Sequence, residues 1–177
     1  MNRTNSQPDS DWELVLSHTL PDFGHRNWIV IADAAYPAHS SPGIKTIATG
    51  ADHLDVLRKV MAALSSQKHV RPIIYADQEL ARVSDNDAPG VDAYRSALQH
   101  LLASHDLQVL PHEQIISRLD QAASLFRVLI LKTTLCIPYT SVFLSLDCGY
   151  WTAEAEARLR TSLATSGPSL SKSHPAS

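Results

Sequence analysis

The sequence predicts an α/β fold, with helices on both faces of a mostly parallel sheet. Short apolar runs bounded by turn residues alternate along the chain with longer amphipathic stretches, and this alternation is typical of parallel strands joined by crossover helices. A chain of 177 residues is most simply one domain with tails, and it is long enough to bury a core without disulfides or metals. We therefore expect a three-layer α/β/α domain.

The strands are predicted from the apolar runs. The run over residues 28–32, WIVIA, is apolar throughout and lies between a Gly-His turn and an Asp, so we expect a buried strand there. Further strands are predicted at 44–48, 72–76 and 107–110, and two more apolar runs follow at 126–131 and 141–146.

The helices are predicted from capping residues and apolar periodicity. Asp52 and Thr152 are suitable N-caps, and Ser10 with Glu13 has the spacing of a capping box. The apolar stripe over residues 54–64 has helical spacing, and we interpret it as core packing. Predicted helices cover 10–20, 52–66, 91–104, 112–124 and 152–164.

Both termini are expected to lie outside the folded domain. Residues 1–9 are polar and residues 166–177 are rich in serine and proline, so both are predicted to be disordered tails. The predicted domain then spans 10–150, and an additional C-terminal helix is expected within 151–165.

Composition argues against several classes of partner. The formal net charge of −3 indicates no surface for nucleic acid or for an anionic membrane, and no apolar run reaches the roughly 18 residues of a membrane helix. The amino terminus has no apolar signal segment, and the two cysteines are compatible with a reducing compartment. We therefore expect a cytoplasmic location.

Common motifs of nucleotide and hydrolase chemistry are missing from the sequence. Neither G-x-x-x-x-G-K-[ST] nor G-x-G-x-x-G nor G-x-S-x-G is present. None of the nine histidines falls in a metal-binding pattern, so no metal site is expected.

Polar side chains cluster around the first predicted strand. His25 precedes it, Asp33 follows it directly, and His39 and Ser40 come a few residues later. Open α/β sheets bind their ligands just beyond the carboxyl ends of strands. This segment is therefore the first candidate for a binding site.

Three blocks of sequence point, in order, to a known family. The first contains Gly-His at 24–25, Asp-Ala at 33–34 and Pro-Ala-His-Ser at 37–40. The second is His-Glu-Gln at 112–114, and the third is Cys-x-Pro-Tyr at 136–139. The first block resembles the fucose mutarotase branch of the ribose pyranase/fucose mutarotase family. The second resembles the ribose pyranase branch, and the third resembles the C-terminal motif of the family.

The resemblance implies an α/β/α fold of the ribose pyranase type and cofactor-free interconversion of monosaccharide ring forms. It also implies a homo-oligomer with sugar sites at subunit interfaces, where the C-terminal motif comes from a neighbouring subunit. By this resemblance, His25 corresponds to the catalytic proton donor. The implied sugar contacts are Asp33, His112, Tyr139, Thr140 and Ser141, and His39 and Ser40 are candidates for lining the pocket.

The residue types suit this chemistry. Ring opening of a cyclic hemiacetal removes a proton from the anomeric hydroxyl and delivers one to the ring oxygen, which an ordinary histidine can do because its pKa is about 6.5. A carboxylate such as Asp33 can accept two hydroxyl hydrogen bonds, and the ring of Tyr139 can pack on the apolar face of a sugar. A helix that begins near His112 disfavours its protonation, which favours a neutral ring able to accept a hydroxyl proton.

Each of these residues also has a structural interpretation. His25 would stabilise a turn, and Asp33 would form an Asx-turn or cap a helix. His112 would be an exposed residue in the first turn of a helix. Tyr139 would be an aromatic residue of the core. The eight residue steps from His25 to Asp33 would span roughly 26 Å if fully extended. Either the turn near residues 26–27 folds back, or the two side chains serve different faces of one interface pocket.

The chain differs from the family pattern at three positions. Asn27 stands where the family has Asp, Leu135 where it has Glu, and Ser141 where it has a sugar-binding Asn. Two alternatives therefore stay open, a sugar-binding or regulatory homologue that has lost turnover and an α/β assembly protein without a sugar site. The blocks do not name the sugar, because 37–40 favours fucose and 112–114 favours ribose.

Overall fold

The computed structural model describes residues 11–165, which fold into one six-stranded sheet with helices on both faces. The strands are β1 Trp28–Ala32, β2 Ile44–Ala48, β3 Val70–Asp77, β4 Leu107–Leu110, β5 Val128–Lys132 and β6 Val142–Cys148. The α-helices are α1 Asp11–Thr19, α2 His53–Ser65, α3 Val91–Leu101, α4 His112–Ala123 and α5 Ala153–Thr165, and short 3-10 helices lie at Leu20–Asp22 and Gln78–Arg82. The predicted tails 1–9 and 166–177 and the predicted cap Ser10 lie outside the described residues.

The sheet is mixed but mostly parallel, as predicted. Its strand order is β2-β5-β1-β6-β3-β4, and the parallel pairs are β1 with β5, β2 with β5, and β3 with β4. Only β6 among these strands is reversed, and it runs antiparallel to both of its neighbours, β1 and β3. Its first residues therefore lie at the same edge of the sheet as the last residues of β1 and β3.

Helices cover both faces of the sheet, which confirms the three-layer prediction. Along β1 the side chains alternate, as the period of two in a strand requires. Ile29 and Ile31 belong to a core with apolar residues of α1, α2 and α3, whereas Trp28 and Val30 belong to a second core with apolar residues of α4. The predicted stripe of 54–64 supplies Leu57, Val60 and Leu64 to the first core.

Several strand and helix ends differ from their predicted positions. The bounds of β1, β2 and β4 agree, but β3 continues to Asp77, which pairs with Leu110 of β4, and β6 continues to Cys148, which pairs with Val70. Backbone hydrogen bonds to a neighbouring strand extend these elements, so the apolar run alone underestimates their length. By contrast, α3 ends at Leu101 instead of residue 104, and β5 begins at residue 128 instead of 126.

The described helix caps agree with the sequence. The Asp52 side chain accepts hydrogen bonds from the backbone N–H groups of Leu54 at 2.9 Å and Asp55 at 3.3 Å. The Thr152 hydroxyl accepts one from the N–H of Ala155 at 3.1 Å. Within residues 11–165, none of the helices combines the length and the apolar character needed to cross a membrane.

Candidate functional site

One cavity lies at the edge of the sheet where β1 and β3 end and β6 begins. Its volume is about 390 Å³, within the range of roughly 300–1,000 Å³ that is usual for small-molecule sites. The residues of its lining that the sequence singled out are Asp33, His39, His112, Tyr139 and Ser141. Tyr36, Asp77, Ile116 and Pro138 also line it.

Asp33 and Ser141 lie side by side within one chain. The Ser141 hydroxyl donates to Asp33 Oδ2 at 3.0 Å, and the N–H of Ala35 donates to Asp33 Oδ1 at 2.8 Å. The second contact is an Asx-turn, so Asp33 both lines the cavity and stabilises its own loop. We expected the C-terminal motif to come from a neighbouring subunit. The structure instead brings Ser141 to Asp33 in the same chain, because β6 pairs with β1.

The turn before β6 places Tyr139 at the rim of the cavity. Tyr139 has a φ of 58°, in the left-handed region that bulky residues rarely adopt. The Thr140 hydroxyl donates to the carbonyl of Ile137 at 2.7 Å, and the Tyr94 hydroxyl donates to the carbonyl of Thr140 at 2.9 Å. Thr140 is therefore buried beneath the turn and supports it instead of lining the cavity, whereas Tyr139 is 40% exposed.

Two carboxylates hold His112 at the start of α4. Its Nδ1 lies 3.0 Å from Asp77 Oδ2, and its backbone N–H donates to both carboxylate oxygens of Glu79, at 3.1 and 3.0 Å. The first N–H groups of a helix have no partner within the helix, so Glu79 satisfies one of them. The His112 ring packs edge-on against Tyr139, with ring centroids 5.7 Å apart.

The carboxyl group of Asp77 has an unusual environment. Its side chain is only 1% exposed, and burial raises its pKa from 3.8 to about 6, while the hydrogen bond and the charge of His112 oppose that rise. Burial has this effect because a low-dielectric surrounding disfavours the charged form. We expected the helix dipole to dominate the surroundings of His112, and the structure places the carboxylates of Asp77 and Glu79 beside it as well.

Polar atoms without partners surround the cavity. Among the described residues, the Tyr36 hydroxyl, His39 Nε2 and Asp77 Oδ1 are buried and have no hydrogen-bond partner. Buried polar atoms are nearly always satisfied, so these positions suit the polar groups of a ligand or ordered water. Ser40, by contrast, is exposed and is not part of the cavity lining.

His25 lies at the opposite end of the sheet. Its Nδ1 is 3.0 Å from Asp147 Oδ1, and Arg71 donates to Asp147 Oδ2 from Nη2 at 2.7 Å and from Nε at 3.1 Å. The six residue steps along β6 from Ser141 to Asp147 correspond to about 20 Å. The turn before β1 does not fold back, so a single chain does not bring His25 to the cavity.

The surroundings of His25 form a second, larger cavity. Its volume is about 510 Å³, and its lining includes Arg71, Asp147, Trp151 and Glu156. Burial raises the pKa of Asp147, but hydrogen bonds from Arg71 and from the backbone N–H of Cys148, with the charges of Arg71 and His25, lower it overall.

Two of the three departures from the family pattern have local structural roles. The Asn27 side chain accepts a hydrogen bond from the N–H of Gly24 at 2.8 Å and so shapes the turn that carries His25. Leu135 packs against the first core, and its carbonyl accepts a hydrogen bond from the N–H of Ala34 at 2.8 Å. Neither residue lines the first cavity.

Three residues in or beside the cavity, Asp77, Glu79 and Tyr36, were not among the residues predicted from the sequence. Asp77 directly follows the predicted strand 72–76 just as Asp33 follows 28–32, so the rule that singled out Asp33 also applies to Asp77. The roles of Glu79 and Tyr36 have no such signal, because they depend on how the loops pack on α4 and β6.

The cavity combines groups that can hydrogen-bond to the hydroxyls of a small molecule. Carboxylates, imidazole rings and hydroxyls can donate and accept hydrogen bonds, and Tyr139 supplies an aromatic surface. No group of three or more His, Cys, Asp or Glu side chains in the described range is arranged to hold a metal ion.

Comparison with known proteins identifies the family. Residues 13–150 match the model of the RbsD / FucU transport protein family, and no match was found among curated protein sequences. The structure of Bacillus subtilis RbsD complexed with D-ribose is 20% identical in sequence to this chain. The match covers 83% of this chain and 98% of the RbsD chain, with a TM-score of 0.50. The fucose mutarotase of Streptococcus pneumoniae in complex with L-fucose is 20% identical, with 82% and 98% covered and a TM-score of 0.51. FucU from Bifidobacterium longum is 14% identical, with 76% and 94% covered and a TM-score of 0.53. These similarities show the same fold, and the match over 13–150 shows that the chain belongs to the RbsD / FucU transport protein family.

Proposed function

We propose that this protein interconverts the ring forms or anomers of a free monosaccharide of the fucose or ribose class, without a cofactor. The observation that carries the proposal is the convergence of Asp33, His112, Tyr139 and Ser141 on one cavity, although they are far apart in the sequence. Their carboxylate, imidazole and hydroxyl groups suit sugar hydroxyls. The ribose and the fucose bound in two structures of the same fold support this class of substrate.

Copies of the chain are proposed to complete one another's sites. The His25 side chain is 55% exposed, but it lies at the far end of β6 from the cavity of its own chain. It can therefore approach such a cavity only in another copy. We infer a homo-oligomer in which His25 of one copy faces the cavity of the next and acts as the proton donor.

The proposed reaction opens and closes the sugar ring. A proton leaves the anomeric hydroxyl as its oxygen forms the carbonyl, the bond from the anomeric carbon to the ring oxygen breaks, and the ring oxygen takes a proton from His25. Closure on the other face of the carbonyl gives the other anomer, and closure by a different hydroxyl gives the other ring size. The two free cysteines, Cys136 and Cys148, are consistent with action in the cytoplasm.

Saturation-transfer NMR of ring-form exchange in ribose and fucose tests this function. We expect the protein to accelerate exchange of at least one of the two sugars, and His25→Ala to slow it by about 10²–10⁴-fold. Asp106→Asn is the matched control, because Asp106 is exposed and outside both cavities. No acceleration for any sugar of a panel of common monosaccharides overturns the proposal, as does a His25→Ala variant with the wild-type rate.

Mixed oligomers test the sharing of sites between copies. His25→Ala and His112→Ala are each expected to be inactive alone. If His25 serves the cavity of another copy, co-refolding the two variants restores some sites that contain both histidines, and part of the activity returns. Mixtures that stay as inactive as the separate variants contradict the shared site.

One observation favours a second candidate, a sugar-binding homologue without turnover. Both carboxylate oxygens of Asp33 already accept hydrogen bonds, from Ala35 and from Ser141, and this leaves fewer lone pairs for a sugar. Isothermal titration calorimetry that shows sugar binding, together with exchange at the uncatalysed rate, would favour this candidate. Accelerated exchange excludes it.

A further inference from the structure

We propose that His112 is the general base of ring opening and that Asp77 is the positioning residue that holds its imidazole in one tautomer. The role in the reaction rests on the function proposed above. The tautomer of His112 is a property of the folded chain, and it can be measured without any substrate.

The geometry determines which nitrogen of His112 is basic. Nδ1 lies 3.0 Å from Asp77 Oδ2, and an ionised carboxylate can only accept hydrogen bonds, so Nδ1 carries the hydrogen. Nε2 then keeps its lone pair. In the described part of the chain, no side chain or backbone group hydrogen-bonds to Nε2, and the His112 side chain is 31% exposed and lines the cavity. The basic nitrogen is therefore available to a sugar hydroxyl.

A purely structural role explains Asp77 less well. Glu79 already binds the backbone N–H of His112 with both carboxylate oxygens, so α4 is attached to the end of β3 without Asp77. Asp77 is also buried with Oδ1 unpaired, and a buried carboxylate without full pairing opposes folding. Burial raises its pKa to about 6, which agrees with this destabilising environment. A role of Asp77 in orienting the His112 ring accounts for a carboxylate at this position.

The other groups around the pair favour the charge that the reaction creates. Glu79 on the 3-10 helix and Asp33 after β1 are the acidic neighbours of Asp77, Tyr139 packs against the His112 ring, and His39 and Tyr36 lie in the same cavity lining. When Nε2 takes a proton, His112 becomes an imidazolium beside Asp77, and nearby negative charges stabilise it.

The proton transfers in this step balance. Nε2 takes the proton of the anomeric hydroxyl, the electron pair of that O–H bond forms the carbonyl, and the electron pair of the ring C–O bond moves to the ring oxygen. That oxygen takes a proton from His25 of the neighbouring copy. Ring closure runs the same transfers in reverse, so His112 and His25 return to their starting states.

The ¹⁵N chemical shifts of histidine-labelled protein test the tautomer directly. We expect His112 at neutral pH to carry its hydrogen on Nδ1, and Asp77→Asn to populate the tautomer with hydrogen on Nε2. Asp106→Asn removes an exposed carboxylate outside the cavity and should leave the His112 shifts unchanged. A wild-type His112 with hydrogen on Nε2 overturns the proposal even if Asp77→Asn does not fold.

Kinetics of the exchanged sugar test the reaction role. Asp77→Asn should lower kcat by about 10-fold or more, leave KM nearly unchanged and move the limb of the pH profile that reports the general base. Asp77→Glu, which keeps a carboxylate, should recover part of kcat. Wild-type kcat and pH profile in Asp77→Asn overturn the proposal, because loss of a merely structural contact would leave the profile in place.

The two kinds of failure are distinguishable. If the wild type accelerates no sugar, the proposed function fails and the role of His112 as general base fails with it, whatever its tautomer. If exchange is fast but neither the tautomer nor the pH profile depends on Asp77, the proposed function stands and only this inference is wrong.

Discussion

Two histidine–aspartate pairs lie at opposite ends of the sheet, and their carboxyl groups have opposite pKa shifts. At the cavity, Asp77 is buried with His112 as its partner, and burial raises its pKa to about 6. At the other end, Asp147 is partly exposed, and although burial raises its pKa, hydrogen bonds and charge from Arg71 lower it overall. The distance from Nδ1 to the carboxylate is 3.0 Å in both pairs.

The comparison teaches that the surroundings, and not the pair itself, decide what the histidine can do. Within residues 11–165, the Asp77 carboxylate pairs with the His112 ring and with no arginine. Asp147 shares its charge between His25 and the permanently charged Arg71. The first arrangement places a buried carboxylate beside His112, and the second leaves His25 at an exposed surface.

The largest expected difference is in the pH dependence of stability. In the folded protein, the pKa of Asp77 is raised from 3.8 to about 6. As pH rises from about 4 to about 6, the unfolded chain therefore loses the Asp77 proton before the folded chain does. The folded state becomes less stable over this range. This shift corresponds to about 3 kcal/mol. Asp77→Asn has no carboxyl group to titrate, so it does not lose stability over this range. The free energy of unfolding of the variant, relative to that of the wild type, should therefore rise by about 3 kcal/mol from pH 4 to pH 7.

Urea denaturation at several pH values measures this difference. Asp147→Asn is the contrasting variant, because the pKa of Asp147 is lowered and its ionised form stabilises the fold. Its destabilisation should therefore be present at neutral pH and disappear as pH falls from the ordinary pKa of Asp through the lowered pKa of Asp147 in the folded state. A difference for Asp77→Asn that does not change with pH contradicts the prediction.

Substitution of each histidine by alanine should also cost different amounts of folding stability in the two pairs, by a smaller margin. His112→Ala leaves a buried carboxylate oxygen without its partner, which costs about 1–3 kcal/mol of stability at pH 7. His25→Ala leaves Asp147 with Arg71 at a surface site, where the loss should be below about 1 kcal/mol. Chemical denaturation of both variants at the same pH makes the comparison, and equal losses would show that burial does not distinguish the pairs.

Removing the arginine should make the exposed pair resemble the buried one. In Arg71→Ala, Asp147 keeps only His25 as a side-chain partner among those described, so its pKa should rise. Arg58→Ala is a matched control, because Arg58 pairs with Asp55 on α2. Carboxyl ¹³C shifts followed through a pH titration report the change, and an unaltered Asp147 titration in Arg71→Ala would count against the role assigned to the arginine.

The sequence indicated the location of some residues that line the cavity and not of others, for local reasons. Asp33 follows a wholly apolar strand, and His112 follows a proline at a helix start, so their positions at element ends are readable from the chain. Thr140 and Ser141 are adjacent in sequence, yet Thr140 lies under the turn and Ser141 lines the cavity. Tyr139, directly before them, has a left-handed backbone conformation, which no composition pattern reveals.

His25 shows the clearest limit of local reasoning. The spacing to Asp33 allowed either a turn that folds back or two separate faces, and only the structure shows that β1 runs straight between them. Asp77 differs from His25, because its position at the end of a predicted strand already made it a candidate. Its contact with His112 could not be predicted from the sequence and is seen only in the structure.

Three features could be predicted from the sequence alone: the three-layer α/β/α architecture, the buried strand β1 and the caps of α2 and α5. These features depend on interactions among residues close in the chain and on the exclusion of apolar side chains from water. The antiparallel position of β6 between β1 and β3 could not be predicted from the sequence and is seen only in the folded chain. This pairing brings Ser141 to Asp33 and leaves His25 at the opposite end of the sheet. It could not be predicted from any single segment, because each apolar strand could in principle pair with several others.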